Sequence, residues 1–170
     1  RDGAMATLAD RLHRALDAAT IANTGEPLPE SSRVVPSTGP ADAIQVAVVG
    51  AHLAGQPLNS QLTDRGATLL ATVLTAPGYS LYALAGAVPP KPGLIFDGRG
   101  AGRIEVEIWS VPSAAFGSFV AGIPAPLGIG TIRLEDGSFV QGFLCEAHAI
   151  AGAQDITSRG GWRAFVGGTA

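Results

Sequence analysis

The segment GTIRLEDGSFVQGFLCEA, residues 130–147, places two strand-like runs on either side of Asp136-Gly137. Asp-Gly between β-branched and aromatic runs is a strong short-range hairpin signal, because glycine accepts the positive φ that a tight turn between twisted strands requires. A chain with that hairpin commits to antiparallel pairing. Other segments point the same way. AIQVAVVG, residues 43–50, is an apolar run ending in glycine, the form of a buried strand. ATLLATVLT (67–75) and SLYALAG (80–86) flank APGY, whose Pro77-Gly78 predicts a turn and thus a second hairpin. In RIEVEIWSV (103–111), Ile104, Val106 and Ile108 alternate with Glu105, Glu107 and Trp109, which predicts a strand with one wet face. Pro112-Ser113 opens a predicted helix, PSAAFGSFVAGI, with Phe116, Phe119 and Val120 on one side. Trp162, Phe165 and Val166 in the tail are expected to cover the sheet.

Strand candidates thus outnumber the single core helix, and no β-α-β repetition appears. The expected class is α+β, with a mainly antiparallel, barrel-like sheet. Upstream, ATLADRLHRALDAA (6–19) carries a helical stripe at Leu8, Leu12 and Leu16. Residues 20–42 are rich in proline, glycine and serine and read as a linker. The opening RDGAM reads as a cloning remnant. The expected organisation is therefore residues 1–5 remnant, 6–42 helix and linker, and 43–170 compact domain.

Composition excludes several classes. With 46% hydrophobic and 15% charged residues, a chain of 170 residues can bury a substantial core. A net charge of −3 with a single lysine, Lys91, gives no electrostatic footprint for nucleic acid or an anionic membrane. No apolar run reaches membrane-span length. One cysteine excludes an internal disulfide and fits a reducing, cytoplasmic setting.

Familiar chemical motifs fail on their own terms. GAHLAGQP (50–57) begins like a phosphate loop but supplies Gln56-Pro57 where a lysine and a hydroxyl residue must stand. GRGAG (98–102) lacks dinucleotide-binding spacing. No nucleophile elbow occurs. Neither a metal nor a cofactor is expected: Cys145 and His148 are three apart, and strand geometry turns Cys145 and Glu146 to opposite faces. Cys145 reads as a small packing residue.

Two polar clusters remain. VVGAHLAGQPLNSQL (48–62) is a strand that breaks at Gly50 into a loop with His52, Asn59 and Gln61. Successive backbone N–H groups there can form an anion nest, or the loop is a plain turn. GFLCEAHAIAG (142–152) ends a strand in Glu146 and His148, as a proton-transfer pair or as a structural histidine with its neighbour. Tyr82 either faces the same cavity or packs its ring into the core.

Residues 47–84, IPAPLGIGTIRLEDGSFVQGFLCEAHA (123–149) and DITSRGGWRAF (155–165) together resemble the C-terminal domain of allophanate hydrolase. The resemblance implies a γ-glutamylcyclotransferase-like α+β barrel following an amidase domain in one polypeptide. It implies that the amidase half releases N-carboxycarbamate and this half assists its decarboxylation, within urea and allophanate catabolism. The amidase serine-serine-lysine triad has no counterpart here, so no amidase activity is expected of this chain. VGAHL (49–53) stands where the cyclotransferases carry a Tyr-Gly-Ser-Leu turn, which favours the nest reading. Their catalytic glutamate has no counterpart in IPAPLGIG, so γ-glutamyl cyclisation is not expected. Proton transfer is then assigned to His148 with Glu146. Gly50, Ala51, His52, Leu53, Asn59, Tyr82, Pro126, Leu127 and Gly128 are assigned to holding a small dianion. The amidase domain and a second copy of the chain are the expected partners. The alternative is a non-catalytic scaffolding, dimerisation or small-anion-binding domain of the same enzyme.

Overall fold

The computed structural model describes residues 42–100 and 102–168. The remnant, the Leu8–Leu16 helix and the linker through residue 41 lie outside the described residues. Among the described residues, no helix is long and apolar enough to cross a membrane.

The main sheet has five strands: β1 (Ala43–Val48), β2 (Thr68–Leu74), β5 (Glu105–Pro112), β6 (Leu127–Arg133) and β7 (Phe139–Cys145). Their order is β2-β5-β1-β7-β6. Central position explains the uninterrupted apolar run of β1, since Val46, Ala47 and Val48 are buried at the heart of the core. β1 runs antiparallel to β5, with Val46 opposite Trp109, and parallel to β7, with Ala47 opposite Gly142. The β1–β7 approach requires glycine at 142: a Cβ there would lie 2.9 Å from the Ala47 carbonyl oxygen.

The β6–β7 hairpin forms around Asp136-Gly137 as the sequence predicts. Gly137 has φ 87°, and the Asp136 carboxylate accepts the Ser138 N–H at 2.9 Å and the Ser138 hydroxyl at 2.6 Å. The second predicted hairpin does not form. β3 (Tyr79–Ala83) joins β4 (Pro92–Phe96) and β8 (Gln154–Asp155) in a separate three-stranded sheet, order β4-β3-β8. β2 instead pairs with β5. Burial decides this split: Leu81 and Leu94 sit opposite one another in the β3–β4 register, both removed from water.

The predicted wet face of β5 is also corrected. Glu107 is 2% exposed and Trp109 4%, while Glu105 alone keeps substantial contact with water. β5 lies between β1 and β2, which pair both of its edges, and both of its faces are buried: Val106 and Ile108 on one, Glu107 and Trp109 on the other. α2 (Ser113–Ala121) follows directly, burying Phe119 with Phe116 packed against the same core. A short α1 (Ser60–Thr63) buries Leu62, and α3 (Trp162–Gly167) buries Trp162. Phe165 packs against the core beside it, whereas Val166 is exposed. The result is a mostly antiparallel fold with few helices, whose central strand β1 delivers the chain into the loop described next.

Candidate functional site

β1 ends at Val48 and the chain turns sharply at Gly50. A side chain at 50 would run into the Pro92 ring, so glycine is needed for close approach rather than for an unusual φ. The turn is then locked by its own amides. Leu53 N–H donates to the Gly50 carbonyl at 2.9 Å, and Leu58 N–H to the Ala51 carbonyl at 2.8 Å. Asn59 Nδ2 donates to the His52 carbonyl at 2.9 Å. Leu53 is fully buried and anchors the loop in the core. The amides of Ala51 and His52 have no protein acceptor among the described residues.

The His52 ring stacks on Phe143, centroids 5.0 Å apart and planes at 24°, and meets the edge of Phe119 at 5.5 Å. Its Nε2 lies 3.0 Å from Gln61 Oε1, within hydrogen-bond distance. Burial pushes the His52 pKa below its ordinary value; the Gln61 hydrogen bond opposes that, and the nearby Lys91 charge adds to the lowering. The ring is therefore neutral near neutral pH. Around it lies a cleft of about 230 Å³, lined by Gly50, Ala51, His52, Gln61, Lys91 and Phe143, with Val88, Pro89, Ile123 and Leu127 as apolar walls. A mostly apolar pocket with a few converging polar groups suits a small ligand with localised charge.

Beneath the turn stands Glu107. Its Oε2 accepts the Ala54 N–H at 2.8 Å and the Trp109 Nε1–H at 3.0 Å, while Oε1 pairs with Arg163 Nη2. Each lone-pair site of a carboxylate buried this deeply needs such partners.

The sequence-assigned residues separate on folding. Gly50, Ala51, His52 and Leu127 line the cleft. Leu53 and Asn59 support the turn from behind. Pro126 contributes its carbonyl to the Glu146 N–H at 3.0 Å, behind the wall made by Pro124 and Leu127. Gly128 is exposed on β6. Tyr82 pairs with Asp155 and lines a different, wider cavity with Ser80, Asp97, Arg99 and Thr157. In that cavity Asp97 is saturated by Arg99 N–H, Ser80 hydroxyl and Gly100 N–H, which hold its pKa below the usual carboxylate value.

Glu146 and His148 do come together, Nδ1 3.1 Å from Oε2, but their side chains are 66% and 72% exposed and neither lines the His52 cleft. His148 belongs to a 3-10 turn, Ala147–Ile150, beyond the end of β7. Cys145 packs against Gly93, and burial, then the Glu146 charge, raises its thiol pKa. Among the described residues no group of three His, Cys, Asp or Glu side chains is placed to hold a metal ion.

Sequence reasoning missed Lys91 and the Glu107–Arg163 pair. That Lys91 is the sole lysine in the chain was a usable signal; nothing in the alternation of β5 distinguishes Glu107 from Glu105.

Residues 44–167 match the family model for the allophanate hydrolase C-terminal domain. Urea amidolyase from Saccharomyces cerevisiae is 44% identical over 137 residues, covering 78% of this chain and 7% of that protein. The structure of Kluyveromyces lactis allophanate hydrolase superposes with a TM-score of 0.74 at 42% identity, covering 79% of this chain and 23% of that one. A protein specific to uropathogenic E. coli superposes at 0.68 with 33% identity, covering 75% of this chain and 98% of its own. The chain thus spans a small part of the two yeast enzymes and nearly all of the bacterial protein. It belongs to the allophanate hydrolase C-terminal domain family.

Proposed function

We propose that this domain binds a small dicarboxylate in the His52 cleft and assists decarboxylation of N-carboxycarbamate made by an amidase domain of the same polypeptide. The observation that carries the reading is the convergence of the chain's one lysine, a half-buried histidine and the Gly50–His52 turn, whose Ala51 and His52 amides have no protein acceptor among the described residues, on one cleft. On this reading the Ala51 and His52 N–H groups hold one carboxylate and the Lys91 ammonium faces the other. Charge brought in by the dianion offsets the Lys91 field and the burial of the ring, so His52 gains a proton as substrate binds. The bond between the departing carboxylate and nitrogen breaks, its electron pair stays on nitrogen, and His52 supplies the proton there. Carbamate and CO2 leave. Apolar walls at Ile123, Leu127 and Phe143 favour the step by drawing the departing carboxylate out of water.

The Glu146–His148 pair is the second reading. Its support is the 3.1 Å contact and the Glu146 N–H bond to Pro126, next to the cleft wall. One experiment separates the two. With N-carboxycarbamate generated in situ by a separate amidase domain, CO2 release is followed with wild type, His52→Ala and His148→Ala. His52→Ala is expected to lose about 100-fold of the acceleration, in line with general-acid contributions, and His148→Ala less than about twofold. The reverse pattern transfers the role to His148. Equal rates with no protein at all would leave a binding domain.

A further inference from the structure

We propose that Arg163, acting with Glu107, is a positioning residue that sets the shape of the His52 turn from α3. The proposal rests on the anion-cleft reading above, because that reading makes the direction of the Ala51 and His52 amides consequential.

Ala54, two residues beyond His52, has both its backbone groups captured by one charge pair. Its N–H donates to Glu107 Oε2 at 2.8 Å, and its carbonyl accepts from Arg163 Nη2 at 3.0 Å. Those partners lie 53 and 109 residues away in sequence. Arg163 also donates through Nη1 to Glu105 Oε1 at 3.1 Å, so its planar fork is held by both acids of β5. Trp109 fixes the Glu107 carboxylate from the far side at 3.0 Å. Each element of this chain is anchored: β5 is an interior strand paired on both edges, Trp109 is buried, and α3 carries the buried Trp162.

A purely stabilising design would not place a carboxylate at 2% exposure in a central strand, since burying an ion costs several kcal/mol and apolar replacements often serve as well. What a buried charge pair supplies is direction. Charge-assisted bonds hold the Ala54 peptide plane in one orientation. With Leu58 tied to Ala51 and Asn59 tied to His52, the segment before Ala54 has no remaining freedom. The amides of Ala51 and His52 are thereby aimed before ligand arrives, which removes an ordering cost from binding. Arg163 touches no cleft atom itself, so its action is positional.

The test uses the full 170-residue chain with sodium malonate as the probe, comparing wild type, Arg163→Met, Arg163→Lys and Glu107→Gln. Residue-resolved amide exchange is measured at Ala54 and, as an internal control, at Val46 in β1. Arg163→Met is expected to speed Ala54 exchange about tenfold more than Val46 exchange and to weaken malonate about tenfold, with Arg163→Lys recovering part of both. Glu107→Gln keeps one carbonyl oxygen for Ala54 and Trp109 but turns an amide NH2 toward Arg163, losing that hydrogen bond and the negative charge facing the guanidinium, and should give an intermediate selective increase. Equal acceleration at Ala54 and Val46, or malonate affinity unchanged in a folded Arg163→Met, overturns the proposal. If Arg163→Met does not fold, the same ratio in Arg163→Lys and Glu107→Gln decides it. If wild type itself ignores malonate, the anion reading fails, and the Ala54 to Val46 ratio still decides the clamp.

Discussion

His52 and His148 each have one side-chain partner, Gln61 at 3.0 Å for the first and Glu146 at 3.1 Å for the second. Their surroundings differ in almost every other respect. His52 is stacked on Phe143, faces Lys91 across a cleft, and stands on a turn locked by Asn59, Leu58 and the Glu107–Arg163 pair. His148 stands on a 3-10 turn with its ring mostly in water, beside a carboxylate that is equally wet. Water screens the second pair and gives each group its own solvation, so little energy is available to direct a proton. The His52 ring is half-buried against Phe143 and Phe119, although its Gln61 partner is exposed, so charges that approach the ring from the cleft count for more than they do at His148. Contact distance alone does not rank two candidate sites; the medium around the contact does.

The sharpest way to break this comparison is at the turn itself. Gly50→Ala forces a Cβ into the Pro92 ring, a rigid neighbour that cannot swing aside. It is expected to lower stability by about 2 kcal/mol and to abolish malonate binding, read by thermal melts and titration. An equivalent methyl added at the exposed Gly128 is expected to change neither, because nothing lies within reach of its Cβ. A melting temperature for Gly50→Ala equal to that of wild type would mean that the turn is not tightly packed.

Acid should separate the histidines next. The folded pKa of His52 is depressed by burial, so its unfolded form binds protons more readily. Its contribution to stability is then complete above the unfolded value of about 6.5 and is lost as pH falls toward and through the folded value. Melting temperatures from pH 7.5 to 5 should therefore fall more steeply for wild type and His148→Ala than for His52→Gln. Parallel slopes for all three would show that the His52 ring is not buried as described. The smallest effect is expected at Glu146→Gln, which alters an exposed carboxylate–imidazole contact and should cost less than about 0.5 kcal/mol in chemical denaturation. A loss several times larger would move weight back to the β7 end.

Much of the fold was legible because local chemistry dictates it. Asp136-Gly137 can hardly be anything but a hairpin turn between two strand-like runs, and Pro112-Ser113 opens a helix as such pairs do. Pro77-Gly78 misled for a related reason: a turn signal states that the chain bends, not which strand it returns to. There Leu81 found Leu94 rather than β2. For the site, the loop after β1 was legible through Gly50 and the cluster of His52, Asn59 and Gln61. The weight placed on Glu146 and His148 came from the family resemblance and the missing acid in IPAPLGIG, and neither says anything about exposure.

By itself the sequence determined the alternation of short apolar runs and glycine or proline turns, and with it an α+β chain whose first strand ends in a glycine-led polar loop. Period and turn chemistry are properties of a few consecutive residues, so they survive without knowledge of the rest. The tertiary structure alone decided which residues meet across long stretches of chain. It brought Lys91 to His52, buried Glu107 while leaving Glu105 in contact with water, and set Arg163 under Ala54. Those outcomes depend on how whole strands share a core and on where a buried charge finds its counter-charge, and no local pattern encodes either.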